Sequence, residues 1–339
     1  MSIGVKGKNL IFLISTPRAG STLLQQILSN HPAIHTLPEP WIALPTLYAL
    51  YTRKIDRNYN TEYSRYWART AIKDFVQRLP KGEEDYLEGI RRMYTYLYNR
   101  AMEGSGKKYF LDKGPRYYHI IPELYKVFPE ALYIILLRNP LAVLNSIINF
   151  INKKYDQIHQ FKHDLLKGPR LLPEGIKLLG QQCTVAHYEQ LLKSPDAEIR
   201  KICEKLHIEF FSNMLSYDFK EEYKNSYGYQ EQKDDYKSGG PDVQNIDKWA
   251  MFLKDPQTWR LASDYLHYLG KDIIDCMGYS HTEMQQLLER YNPGRIKLGK
   301  TTSLLRLIKR SEIDFLMLKP KNPRSLRRFL ERWLAYLLK

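Results

Sequence analysis

Asn9-Leu10-Ile11-Phe12-Leu13-Ile14-Ser15-Thr16-Pro17-Arg18-Ala19-Gly20-Ser21-Thr22-Leu23-Leu24 is the stretch on which the fold turns. The apolar run Leu10 to Ile14 is unbroken, the pattern of a strand buried on both faces. It is far too short to span a membrane, and it lacks the small-residue cleavage pattern of a secretory signal. After the loop, Leu23, Leu24, Ile27 and Leu28 recur at helical spacing until His31-Pro32 ends the helix. The grammar is strand, tight loop, helix. In that geometry the free N–H groups of Gly20, Ser21, Thr22 and Leu23 converge on an anion with the helix dipole behind them. Gly20 lets the backbone approach closely, and Arg18 can reach over the loop to neutralise an oxyanion. A plain strand-to-helix turn is the alternative reading of the same residues. No Gly-Lys-Ser/Thr follows, so the lysine and magnesium-binding hydroxyl of a Walker A loop are not both present, which disfavours an ATPase or kinase.

A second unit repeats the grammar. Ala131 to Leu137 is a continuous apolar run, Asn139-Pro140 starts a helix, and Leu144, Ile147 and Ile148 form its inner face. Arg138 ends that strand and Ser146 lies two turns into the helix, so one guanidinium and one hydroxyl can grip a second phosphate. Taken alone, an arginine at a strand end is as readily a surface ion pair. Shorter strands are expected at Tyr109 to Leu111 and Thr184 to Ala186. After the latter, Ser194-Pro195 opens a helix whose Ile199, Ile202, Cys203 and Leu206 share a face. These elements predict a mostly parallel, helix-covered sheet. The helical segments Trp41 to Gly104 and Ile151 to Gly180 are expected to cover its C-terminal edge, where open α/β sheets bind ligands.

The 339 residues suffice for one large α/β domain or a domain with appendages, and 43% apolar with 26% charged residues is an ordinary globular composition. Cys183, Cys203 and Cys276 are widely spaced, without zinc or disulfide patterning, so a reducing cytoplasm is the expected location. Of the net charge of +15, residues 295–339 supply 13 Lys/Arg against 3 Asp/Glu. That asymmetry points to an anionic partner for the tail. In it Leu326, Phe329, Leu330, Trp333, Leu334 and Leu337 share one helical face, with Arg324, Arg327, Arg328 and Arg332 around the polar side. Such a helix suits a peripheral position on the inner membrane surface, or docking on the protein's own core or a dimer partner; nucleic acid is not expected.

Pro17-Arg18-Ala19-Gly20-Ser21-Thr22 resembles the 5′-phosphosulfate loop of sulfotransferases that use 3′-phosphoadenosine 5′-phosphosulfate (PAPS), and Arg138-Asn139-Pro140 with Ser146 resembles their 3′-phosphate motif. Arginine at position 18 is similar to the protein-tyrosine sulfotransferase branch and its bacterial relatives. By that resemblance Glu39, flanked by Pro38 and Pro40, is the general base for the acceptor hydroxyl. Lys113, in Asp112-Lys113-Gly114-Pro115, is similar to the lysine that stabilises the transferring group. The bland alternatives are a carboxylate in a solvated loop and a surface lysine; His35 and His119 are reserve bases. The segment beginning His187-Tyr188, the pair Lys248-Trp249 and the loop residue Ser238 resemble further cofactor contacts.

The resemblance implies an α/β, P-loop-like three-layer fold with a central mostly parallel sheet, a helical cover and a basic helical C-terminal tail. Residues 1–290 are expected to form the sulfotransferase domain and 291–339 the amphipathic extension. The implied reaction is in-line transfer from PAPS, without a metal, to a free hydroxyl on a small metabolite, glycan or lipid, leaving adenosine 3′,5′-bisphosphate. The competing readings are a nucleotide-dependent kinase and a non-catalytic membrane-surface protein on the same fold.

Overall fold

The computed structural model describes residues 2–40, 42, 43, 47, 72–216, 241, 243–292 and 294. Ser238 and the basic stretch 295–339 lie outside the described residues. At the centre is a five-stranded sheet of β1 (Leu10–Ile14), β2 (Ile34–Thr36), β3 (Tyr109–Gly114), β4 (Leu132–Leu137) and β5 (Cys183–His187). The strand order is β2-β3-β1-β4-β5 and every pairing is parallel. Each strand must therefore be reached by a crossover, and helices come to lie on both faces.

Period-2 alternation divides the sheet residues between two cores. Leu10, Phe12 and Ile14 of β1 pack with α2 (Glu83–Ala101), α3 (Ile121–Val127) and α6 (Gly168–Leu179). Phe12 is fully buried, its ring 5.5 Å from Tyr133 and 5.6 Å from Phe128. Ile11 and Leu13 pack the other way, with α1 (Ser21–Ser29), α7 (Tyr188–Lys193) and α8 (Pro195–Leu206). The result is the expected three-layer arrangement. Of the expected cover, α2 and α6 form part of the layer on one face, their buried tyrosines and leucines packing with the even-numbered side chains of β1, while residues 41, 44–46 and 48–71 lie outside the described residues.

A separate apolar cluster joins α4 (Pro140–Phe150) to α9 (Pro256–Cys276) and α10 (His281–Arg290) through Leu144, Ile147, Ile148, Leu261, Tyr265, Met284 and Leu288. Asn139 caps α4, its side chain accepting from the N–H of Leu141 at 2.9 Å and of Ala142 at 3.4 Å, with Pro140 at the first helical position as expected. Arg116 grips buried Asp164 of α5 (Lys162–Leu166) at 2.7 Å and 3.0 Å, and the Tyr118 hydroxyl donates to the same carboxylate at 2.6 Å. That bidentate pair ties the chain leaving β3 to the helices beyond β4.

Candidate active site

Because all five strands run the same way, their C-terminal ends share one edge of the sheet, and the loops leaving that edge meet there. β1 opens into residues 15–20, β2 into Pro38-Glu39-Pro40, and β3 ends on Lys113-Gly114; Arg138 follows β4, and Tyr188 follows β5. Residues far apart in sequence are collected at one rim by topology alone.

Gly20 is the cap of α1, with φ 95° and ψ 15°. As a glycine it offers the helix no side-chain cap, and the first turn holds no acidic residue. The first N–H groups of the helix, with the positive end of the dipole, suit an anion. Arg18 also has a positive φ, 68°, a conformation that costs a side-chain-bearing residue about 1–2 kcal/mol. Strain of this kind persists where surrounding bonds fix the backbone. Here the Arg138 Nη1 donates to the Arg18 carbonyl at 2.8 Å, while the Arg18 Nε donates to the Ser146 hydroxyl at 3.2 Å. The Arg18 guanidinium lies 5.2 Å from the Phe150 ring centre, and that of Arg138 4.2 Å from the ring of Tyr188. The Arg138 Nε is buried without a hydrogen-bond partner among the described residues. Glu189 fixes the chain immediately after Arg138: its carboxylate accepts from the Asn139 N–H at 3.0 Å and from the Tyr279 hydroxyl at 2.7 Å.

On the other side of the loop the Lys113 ammonium donates to Glu39 Oε1 at 2.5 Å and to the Thr22 hydroxyl at 3.3 Å. Lys113 is 2% exposed and the Glu39 side chain 10%, so neither is the solvated surface residue of the alternative reading. Burial lowers the pKa of Lys113, and the Glu39 charge opposes that shift. Glu39 itself is held at a φ of 23° between its two prolines. Of the histidines, His31 is structural: its Nδ1 accepts from the Ala33 N–H at 3.0 Å, which leaves Nε2 to donate to the Glu209 carbonyl at 2.9 Å. His35 packs against Phe110, and His119 against Tyr118 and His163.

The description "Sulfotransferase family" belongs to the family model that matches residues 10–212, which span β1 to just beyond α8 and hold all of the residues just described except Tyr279. The chain belongs to the sulfotransferase family. It is 29% identical over 216 residues to nodulation protein NoeE of Sinorhizobium fredii, covering 57% of this chain and 48% of that protein. It is 24% identical over 219 residues to protein-tyrosine sulfotransferase A of Caenorhabditis elegans, covering 61% and 52%. The chain thus spans about half the length of these curated relatives. A sulfotransferase domain from the curacin biosynthetic pathway superposes with a TM-score of 0.46 and 19% identity, over 71% of this chain and 90% of that domain.

Eight of the sequence-predicted residues of this sulfotransferase-family chain fall into two contacting sets. Arg18, Gly20, Arg138, Ser146 and Tyr188 form one; Thr22, Lys113 and Glu39 form the other. Lys248 stands exposed at the first residue of the turn Lys248–Lys254. Sequence reading missed Phe150, Tyr279, the bracing role of Glu189, and the packing role of Tyr188, whose ring occupies the space a Cβ on Gly20 would need. That last contact sets an expected result. Gly20→Ala puts a methyl group into the Tyr188 ring at a positive φ, and should cost at least about 1–2 kcal/mol in chemical denaturation. A variant as stable as the wild type would show that the loop relaxes freely.

Proposed function

We propose that the chain transfers a sulfuryl group from PAPS to an acceptor hydroxyl. One observation carries the reading: Arg18, beside the α1 N-terminus, accepts from Arg138 through its carbonyl at 2.8 Å and donates to Ser146 through its Nε at 3.2 Å, which brings the residues of both expected anion grips together across the ends of β1 and β4. A nucleotide bearing anions at both its 5′ and 3′ positions calls for two such grips. The unpartnered buried Arg138 Nε is a donor that a 3′-phosphate would satisfy. The Cβ-free surface of Gly20 gives a phosphosulfate close backbone approach.

When bound, PAPS supplies a sulfuryl group on a phosphate leaving group. Glu39 takes the proton of the attacking hydroxyl as its oxygen bonds to sulfur and the bond from sulfur to the bridging phosphate oxygen breaks. Arg18, Lys113 and the first N–H groups of α1 stabilise the charge on the departing phosphate oxygens. Lys113 is suited to both partners, since its ammonium already touches Glu39 on one side and Thr22 of the loop helix on the other. The acceptor class is a hydroxyl, on a tyrosine, a metabolite, a glycan or a lipid; the name of the C. elegans relative supports tyrosine among them.

Calorimetric titration tests the cofactor. Adenosine 3′,5′-bisphosphate without metal is expected to bind more tightly than ATP with magnesium, because ATP leaves Arg138 without a 3′-anion. Preference for ATP with magnesium would put the kinase reading first.

A further inference from the structure

Behind Lys113, on the opposite face of β3, lies a charged group that the reaction described so far does not use. Asp112 is fully buried at 0% exposure. Its carboxylate accepts from the Tyr98 hydroxyl of α2 at 2.5 Å and from the Tyr117 hydroxyl at 3.1 Å. Tyr98 and Tyr117 are themselves fully buried. The Tyr117 oxygen also accepts from the Ala43 N–H at 3.4 Å, and the Tyr94 hydroxyl, one turn from Tyr98 on α2, donates to the Ile42 carbonyl at 2.7 Å. Residues 42 and 43 follow closely on Glu39.

We infer that Asp112, Tyr98 and Tyr117 form a positioning brace for the reaction, holding the end of β3 that carries Lys113 in register with the chain that carries Glu39. This rests on the reading of Lys113 and Glu39 given above. The donor count supports the brace. Each tyrosine has one proton to give, and both give it to Asp112; Tyr117 then receives the Ala43 proton on its lone pair. A carboxylate, which accepts only, fits that site, whereas an amide would bring two donors against hydroxyls that already donate. Isolating a carboxylate from water is costly, and apolar residues of the same volume would pack the layer as well or better. Burial accordingly raises the Asp112 pKa to about 6, with the two tyrosine bonds and the Lys113 charge opposing it. The charge sits next to Lys113 in the chain, and its partners come from both elements packed over it, α2 and the turn Tyr117–His119. The catalytic pair is thereby linked to the sheet by three successive hydrogen bonds, from Ala43 through Tyr117 and Asp112 to Tyr98.

Hydroxyl deletions test the brace without changing charge or ring volume. Tyr117→Phe and Tyr98→Phe are each titrated with adenosine 3′,5′-bisphosphate and with adenosine 3′-monophosphate, which lacks the 5′-anion facing Lys113. Loss of the brace should weaken the bisphosphate about tenfold, the scale of one misaligned charge-assisted hydrogen bond, and leave the monophosphate within about twofold. The Lys113→Met,Tyr117→Phe double variant should bind the bisphosphate no more weakly than Lys113→Met alone. Unchanged bisphosphate affinity in both hydroxyl variants, equal losses for both nucleotides, or additivity with Lys113→Met would overturn the brace. Failure of the underlying reading has a different signature: Lys113→Met would then bind the bisphosphate like the wild type. If one hydroxyl variant fails to fold, the other decides.

Discussion

Arg138→Ala is expected to lower affinity for adenosine 3′,5′-bisphosphate by about 10²–10³-fold, the worth of two charge-assisted hydrogen bonds at roughly 1.5–2 kcal/mol each. Arg138 is placed by three contacts: its Nη1 on the Arg18 carbonyl at 2.8 Å, its guanidinium 4.2 Å from the Tyr188 ring, and the Asn139 N–H after it held by Glu189 at 3.0 Å. This pre-set arrangement leaves little side-chain freedom to lose when a phosphate binds, so most of each bond appears as affinity. Arg138→Lys retains the charge but loses the planar fork and its stacking, and should recover only part of the loss. Adenosine 5′-monophosphate serves as the control. It lacks the 3′-anion, so its affinity should change far less in both variants, apart from the effect of releasing the Arg18 carbonyl. A wild-type affinity for the bisphosphate in Arg138→Ala would remove the 3′-phosphate role and leave this arginine as a loop brace.

The parts of this site that were legible in the sequence are those written in contiguous residues. A buried parallel strand followed by a capped helix leaves an unbroken apolar run and a turn signal, and both β1 with its loop and β4 with Asn139-Pro140 were read that way. β2 was missed because three residues, the middle one His35, carry too little periodicity, and among the described residues it pairs with β3 alone. β3 was expected to stop at Leu111, since an aspartate and a lysine ordinarily end a buried run. It continues to Gly114 because Tyr98, Tyr117 and Glu39 arrive from elsewhere in the chain to satisfy both charges. No local pattern announces a partner 74 residues away. The same limit applies to Arg18 and Ser146, which sequence reading assigned separately to two anion grips and which the fold brings into direct contact across 128 residues.

Glu39→Gln is expected to slow sulfuryl transfer by about 10²–10⁴-fold, the usual contribution of a positioned general base. Single-turnover transfer from radiolabelled PAPS to a panel holding a phenol, a tyrosine peptide, a sugar and a long-chain alcohol measures it. The substitution preserves shape but removes both the proton acceptor and the negative partner of Lys113. Lys113 then responds in a direction that can be worked out. Burial already holds its pKa below the ordinary lysine value and the Glu39 charge pulls it back up, so loss of that charge lowers it further. At higher pH more of the free variant carries a neutral Lys113, and binding an anion must then take up a proton. Affinity of Glu39→Gln for adenosine 3′,5′-bisphosphate should therefore stay closest to the wild type at low pH, where Lys113 is protonated in both, and fall away from it as pH rises through the further-lowered lysine pKa. The two measurements separate the roles of one residue. Slow transfer with pH-sensitive binding assigns Glu39 both as base and as the charge that keeps Lys113 protonated. Slow transfer with wild-type pH dependence leaves only the base. Wild-type transfer moves the search for the base to His35 and His119, the reserve candidates.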